Sequence, residues 1–244
     1  MGSPLTCVRM TSPAAPSVHP ASVWEDFVDI FYAPRDVFAR RRSAGFLVPL
    51  IVLVVVIAIL FWAGKPLFQS IIDAEFARAS AHGTLTSEQL EMARSWNERM
   101  SVVVVPLSVL LSVLAVGVVV TWVARAFDVR LSYTASCVIA TYAEFPRIIE
   151  HVVNLIQGYL LPVDSLVSQY QIRMGLARFA DPETTAPALL ALLSRFDLFT
   201  FWVTALLAIG VAVIGETTTR RAVLVASTLW ILGTLAAVGG ALRS

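Results

Sequence analysis

The chain has 244 residues, 57% of them hydrophobic and 14% charged, against roughly 45–50% and 25% in an ordinary soluble domain. Lys and Arg number 18 and Asp and Glu 17, a formal net charge of +1, so no global field draws a polyanion. These figures exclude a soluble globular enzyme, a disordered protein and a nucleic-acid binder; the apolar residues, mean hydropathy +0.77, fall in long blocks whose natural solvent is lipid.

Met1–Ala21 is rich in Ser, Pro, Ala and Thr, and Pro4, Pro13, Pro16 and Pro20 forbid a regular element. A disordered cytoplasmic tail is expected over residues 1–22. Met1–Pro20 holds no apolar core of a signal peptide, so the first apolar block is expected to serve as an uncleaved span. Trp24, Phe27, Val28, Phe31 and Phe38 recur at roughly helical spacing among Glu25, Asp26 and Asp29. They predict an N-terminal amphipathic segment that either lies on the membrane surface or packs against the end of the bundle. Arg40, Arg41 and Arg42 form a basic collar after it.

Five apolar blocks follow, at about 46–63, 102–124, 135–161, 198–215 and 222–242. The expected fold is all-α, an integral membrane bundle of five transmembrane helices occupying 23–244 as one domain. Thr86 with Gln89 reads as a capping box that opens a helix running into the second span. A short helix is expected over Asp164–Phe179. Arginines of the N-terminal arm and of the two short loops (Arg125, Arg130, Arg220, Arg221) fall on one side, which predicts N-terminus cytoplasmic and C-terminus outside. Cys7 and Cys137 are too few and too far apart in character for a disulfide framework or a thiolate site.

The third block carries the one anomaly. Glu144, Arg147, His151 and Asn154 follow at spacings of three, four and three, one stripe of a helix, with Glu150 beside it. A charge left alone in hydrocarbon costs about 2.5–3.5 kcal/mol or more, so the stripe must pair internally or face a polar cavity. Pro146 additionally frees the carbonyl of Tyr142. Two readings stay open: a buried ion-pair cluster that fixes packing, and a proton, ion or ligand path titrating at Glu150 and His151. Adjacent Glu150 and His151 diverge on a helix, and no Glu-x-x-His pair exists, so neither metal nor cofactor is expected. No Gly-x-Ser-x-Gly elbow or phosphate-binding Gly-rich loop is present; no enzyme is expected. Ala205, Ala208, Ala212 and Gly215, and Gly233, Ala237 and Ala241, make small-residue faces that suit close helix packing or oligomerisation.

Three segments carry a resemblance. Pro34-Arg35 with Phe38 ahead of an apolar span, Tyr142-Ala143-Glu144-Phe145-Pro146-Arg147, and Asp197, Phe199 and Trp202 followed by Leu206 and Gly210 together resemble the bacterial branch of the Yip (Ypt/Rab-interacting protein) domain family of five-span membrane proteins. The likeness runs from Phe31 to the C-terminus. It implies a non-enzymatic scaffold or accessory subunit of a membrane complex, engaged in membrane organisation, trafficking or export, in a bacterial inner membrane. It implies membrane lipids and a membrane-protein partner or second copy as contacts. Eukaryotic members bind small GTPases, but their long cytosolic N-terminal domain has no counterpart here, so that partner does not carry over. The alternative from the residues themselves is a small transporter or channel component using the stripe of the third span.

Overall fold

A computed structural model describes residues 22–67, 69, 72, 86–161 and 169–243. The expected tail lies outside the described residues except for Ser22, and so does 164–168 of the loop helix. Among the described residues the elements are helical: α1 (Val23–Tyr32), α2 (Pro34–Arg40), α3 (Leu47–Ala63), α4 (Ser87–Ala126), α5 (Tyr133–Ala143), α6 (Pro146–Leu160), α7 (Pro187–Leu193), α8 (Leu198–Ile214) and α9 (Thr219–Ala241).

Two of these are long and apolar enough to cross a membrane, Met100–Ala126 within α4 and Thr219–Ala241. Leu47–Ala63 and Leu198–Ile214 are shorter apolar helices. The capping box forms as expected: Thr86 Oγ1 accepts from the Gln89 N–H at 3.3 Å and Gln89 Oε1 accepts from the Thr86 N–H at 3.0 Å. It opens one continuous helix of 40 residues, about 60 Å long at 1.5 Å per residue.

The centre of the bundle is α5. Ser136 to Ala143 are all buried, because α4, α8 and α3 pack around it. Small residues permit this. A Cβ at Gly117 would meet Cys137 Sγ at 2.6 Å, and one at Gly210 would meet Ile139 at 2.8 Å. The hydroxyls of Thr121 and Ser136, buried between α4 and α5, bond to each other at 2.8 Å.

The third apolar block is two helices, which corrects the single element expected over 135–161. The ring of Pro146 cannot sit over the Tyr142 carbonyl, so α5 stops at Ala143 and α6 begins on the proline. The Tyr142 carbonyl is not left free, as the sequence suggested. It accepts from the Phe145 N–H at 3.3 Å, and the Thr141 carbonyl from the Glu144 N–H at 3.2 Å; the junction closes as a tightened turn. The loop helix is also corrected. Two 3₁₀ turns, Gln169–Ile172 and Leu176–Phe179, replace it because Gly175 leaves the helix to pair backbone to backbone with Asp197. Helix α7 went unforeseen, although Pro187 at its first position is the ordinary start signal.

The N-terminal segment packs on the bundle with its inner face. Helices α1 and α2 lie against α8 and the α5–α6 junction. Phe27 stacks on Phe145 at 5.1 Å, Phe31 meets Trp202 edge to face at 5.6 Å, and Phe38 does the same with Tyr142 at 6.3 Å. The outer stripe of α1 is apolar too: Trp24, Val28 and Tyr32 stand 54–78% exposed. The basic collar is largely neutralised. Arg40 and Arg41 turn inward onto Asp26, and Arg42 pairs with Glu216 in the α8–α9 turn. Arg221 approaches Asp128 in the α4–α5 turn at 4.0 Å. The N-terminal arm and both short turns therefore share one end of the molecule, as the charge pattern required.

Candidate functional site

Two polar clusters are buried in the helices. The first is centred on Asp26, whose side chain is fully buried on α1. Its Oδ1 accepts from Arg40 Nη2 at 2.8 Å, and its Oδ2 accepts from Arg41 Nε and from the Tyr142 hydroxyl, the latter at 3.0 Å. Arg40 also donates to Asp29 at 2.6 Å. Burial alone would lower the Arg40 guanidinium; the bonds to Asp29 and Asp26 outweigh it and hold it above its ordinary value. Every strong acceptor position of Asp26 is thus engaged by a cation or a hydroxyl, the condition under which a buried carboxylate is tolerated.

The second cluster holds the residues of the sequence stripe. Arg147, on the first turn of α6, places Nη1 2.5 Å from Glu150 and Nε 3.5 Å from Glu144. Its Nη2 reaches Thr200 of α8 at 3.4 Å. The pairing across the Pro146 junction explains how three charges occupy one apolar block. Asn154, a turn further on, is buried with its Oδ1 unpartnered. His151 faces the same side of α6 as the cleft described next.

Around Arg147 the helices leave two neighbouring hollows. One, about 400 Å³, is lined by Arg147, Glu150, His151, Arg173, Ser194, Arg195, Asp197, Thr200 and Ala237. The other, about 380 Å³, is mostly apolar, with Val116 and Val119 of α4, Leu207 of α8 and Leu229, Trp230, Leu232 and Gly233 of α9. Arg147, Arg195 and Thr200 line both.

Sequence reasoning did not place Arg195 here. It sits in the turn between α7 and α8 and lies along α9, with Nε 3.4 Å from Thr234 Oγ1 and Nη2 3.2 Å from the position a Cβ would take at Gly233. The small residue at 233 thus makes room for a guanidinium, where a helix–helix contact was expected. Burial, with the like charge of Arg147 nearby, holds Arg195 below its ordinary value. The signal was present in the sequence only as a cation two residues before a helix cap, which says nothing of its direction.

The motif residues build the seam beside this site. Asp197 caps α8, its Oδ1 accepting from the Phe199 N–H at 2.8 Å and the Thr200 N–H at 3.0 Å. Its Oδ2 is buried without a partner. Phe199 is buried, and Trp202 stacks on it at 6.4 Å; with Phe31 on its other flank, Trp202 is a packing residue more than a free interfacial anchor. Pro34 starts α2. Phe38, fully buried, fills the space that Gly210 leaves, its Cε1 3.1 Å from where a Cβ would stand there. Arg35 is exposed.

An all-helical chain with outward-facing apolar helices, sealed by an N-terminal hairpin that docks an aromatic onto a glycine, is an integral membrane architecture. The Yip1 domain model matches residues 28–240, and the chain belongs to that family. No curated protein and no solved structure matches it.

Proposed function

We propose that this chain is a five-span, non-catalytic integral membrane protein that acts as a scaffold or accessory subunit of a membrane complex. The five spans are α3, the Met100–Ala126 part of α4, α5 with α6, α8 and α9. The N-terminus is cytoplasmic, the C-terminus lies outside, and a bacterial inner membrane is the setting. The observation that carries the reading is the outward apolar surface. Val103, Leu107, Leu111, Val118 and Trp122 on α4 and Val223, Leu224, Ile231 and Leu235 on α9 are exposed in the isolated chain, and lipid or neighbouring membrane helices are what can cover such a surface. Family membership supports it, and so does the engagement of Arg147 by Glu144 and Glu150, which ties the stripe to packing.

Purification in native lipid nanodiscs followed by mass spectrometry tests the reading. A membrane protein or ATPase recovered in stoichiometric amount is the expected result; a lone, monodisperse chain overturns the accessory role. The second reading, a transport component, draws on the cleft lined by Glu150 and His151. Its mark is a proton or solute flux across liposomes that is lost in Glu150→Gln while the bundle stays folded.

A further inference from the structure

The paired hollows between α4, α6, α8 and α9 differ from a packing defect in three ways. First, they join opposite chemistries. The apolar half lies between α4 and α9, where Val119 and Leu232 are also on the exposed surface of those helices. The polar half lies against α6 and the turn before α8. Second, the charges there are unevenly engaged. Glu144 and Glu150 are held by Arg147, and Asp197 is turned to the amide groups at the start of α8 through Oδ1. Arg195 makes no ion pair among the described residues, although it lines both halves. Third, a donor is stranded: Trp230 Nε1 is buried without an acceptor, and its ring forms part of the apolar wall. Its plane is fixed by stacking on Phe201 at 6.1 Å. A half-buried guanidinium with the Thr200 hydroxyl at the head of a slot walled by apolar side chains and the Trp230 ring is complementary to one shape of ligand: an oxyanion attached to hydrocarbon.

We propose that this cleft binds one anionic phospholipid, its phosphate at Arg195 and one of its two acyl chains between α4 and α9. The phosphate takes the charge-assisted hydrogen bonds of Arg195, and the ring of Trp230 lines the slot beside the chain. Glu144 lines the apolar hollow and Glu150 and Asp197 the polar one, so the phosphate sits at Arg195 and away from the carboxylates, and hollows of about 380 and 400 Å³ leave room for no more than one lipid. Its entry is sideways from the membrane, because the apolar half opens between two lipid-facing helices. The inference rests on the membrane-embedded reading of the chain and is independent of the accessory role.

The test is native mass spectrometry of the full chain in detergent micelles, with phosphatidylglycerol or diacylglycerol of identical acyl chains added. Retention of one phosphatidylglycerol per chain is expected, with diacylglycerol, which lacks the phosphate, retained about tenfold less, the scale of one charge-assisted hydrogen bond. Arg195→Gln is expected to reduce phosphatidylglycerol about tenfold, and Leu232→Trp to reduce it by filling the slot, while Arg42→Gln at the far end changes nothing. Equal retention of the two lipids, or undiminished binding in a folded Arg195→Gln protein, overturns the proposal. Should Arg195→Gln fail to fold, undiminished binding in Leu232→Trp overturns it instead. Inorganic phosphate that binds with the same Arg195 dependence while phosphatidylglycerol does not identifies a free-anion site and also overturns it. Carbonate extraction of membranes separates the two levels: a chain washed off refutes the embedded reading, whereas a retained chain that binds no phosphatidylglycerol refutes the lipid site alone.

Discussion

The two buried polar clusters use the same chemistry and reach opposite ends. Around Asp26 two arginines and a tyrosine converge on a single carboxylate, and the aromatic rings of Phe27, Phe38 and Phe145 close over it. Around Arg147 one cation is shared by two carboxylates, a second cation lies beside it unpaired among the described residues, and Asn154, Asp197 and Trp230 each keep a buried polar atom without a partner. A network whose carboxylate oxygens are both engaged is a fastener, even where a small hollow of about 250 Å³ lies on the outer side of Arg41 and Tyr142. An unsaturated one that lines a cleft has capacity left for something else, and buried unsatisfied groups in a native fold call for such an explanation.

Mutations separate the fastener from the cleft. Asp26→Ala leaves two guanidinium groups and a hydroxyl without their shared acceptor. Losing one partner of a buried ionic network costs about 3–5 kcal/mol, so thermal unfolding in detergent is expected to show the largest fall of the series; an unchanged midpoint would mean the N-terminal hairpin is not anchored there. Gly210→Leu forces a side chain into Ile139 and Phe38, an overpacking cost of about 1–3 kcal/mol, and protease sensitivity of the α1–α2 hairpin should rise with it. Glu144→Gln removes the longer of the two Arg147 pairs, at 3.5 Å, and leaves the 2.5 Å pair with Glu150. A loss of about 1 kcal/mol is expected; a loss as great as that of Asp26→Ala would erase the distinction between the clusters. Arg42→Ala breaks only the exposed pair with Glu216 and should change stability by about 0.5 kcal/mol or less, falling further in high salt.

Legibility in the sequence followed the range of the interaction. The Thr86–Gln89 box is local, three residues across, and formed as read. The stripe of Glu144, Arg147 and Glu150 was legible as an internal pairing because its members are one helical turn apart. The break at Glu144–Phe145 was half legible: the proline was noted, but its effect was assigned to a freed carbonyl when the chain instead tightened to fill it. What escaped was long range. Arg195 meets α9 across 39 residues, and Asp26 meets Tyr142 across 116. Periodicity placed Asp26 among the solvent-facing residues of an amphipathic helix, while in the fold it is on the inner face, because the arginines that neutralise it come from the segment expected to be a collar. Amphipathicity names two faces of a helix and is silent on which one a countercharge elsewhere will reverse.

The length of α4 has a consequence of its own. A hydrocarbon core is about 30 Å thick, half the length of this rod. The part ahead of Met100 therefore carries the helix on by about 20 Å, and Met92 and Trp96 stand exposed along it, each at 66%. Pro106 lies inside the rod, between this overhang and Gly117, and a proline there removes one bond of the helical ladder, so a push or tilt applied at the far tip is taken up in part as a bend at Pro106 before it reaches Gly117 and Thr121, where α4 grips the central helix. The helix is, in effect, a lever with its joint at Pro106.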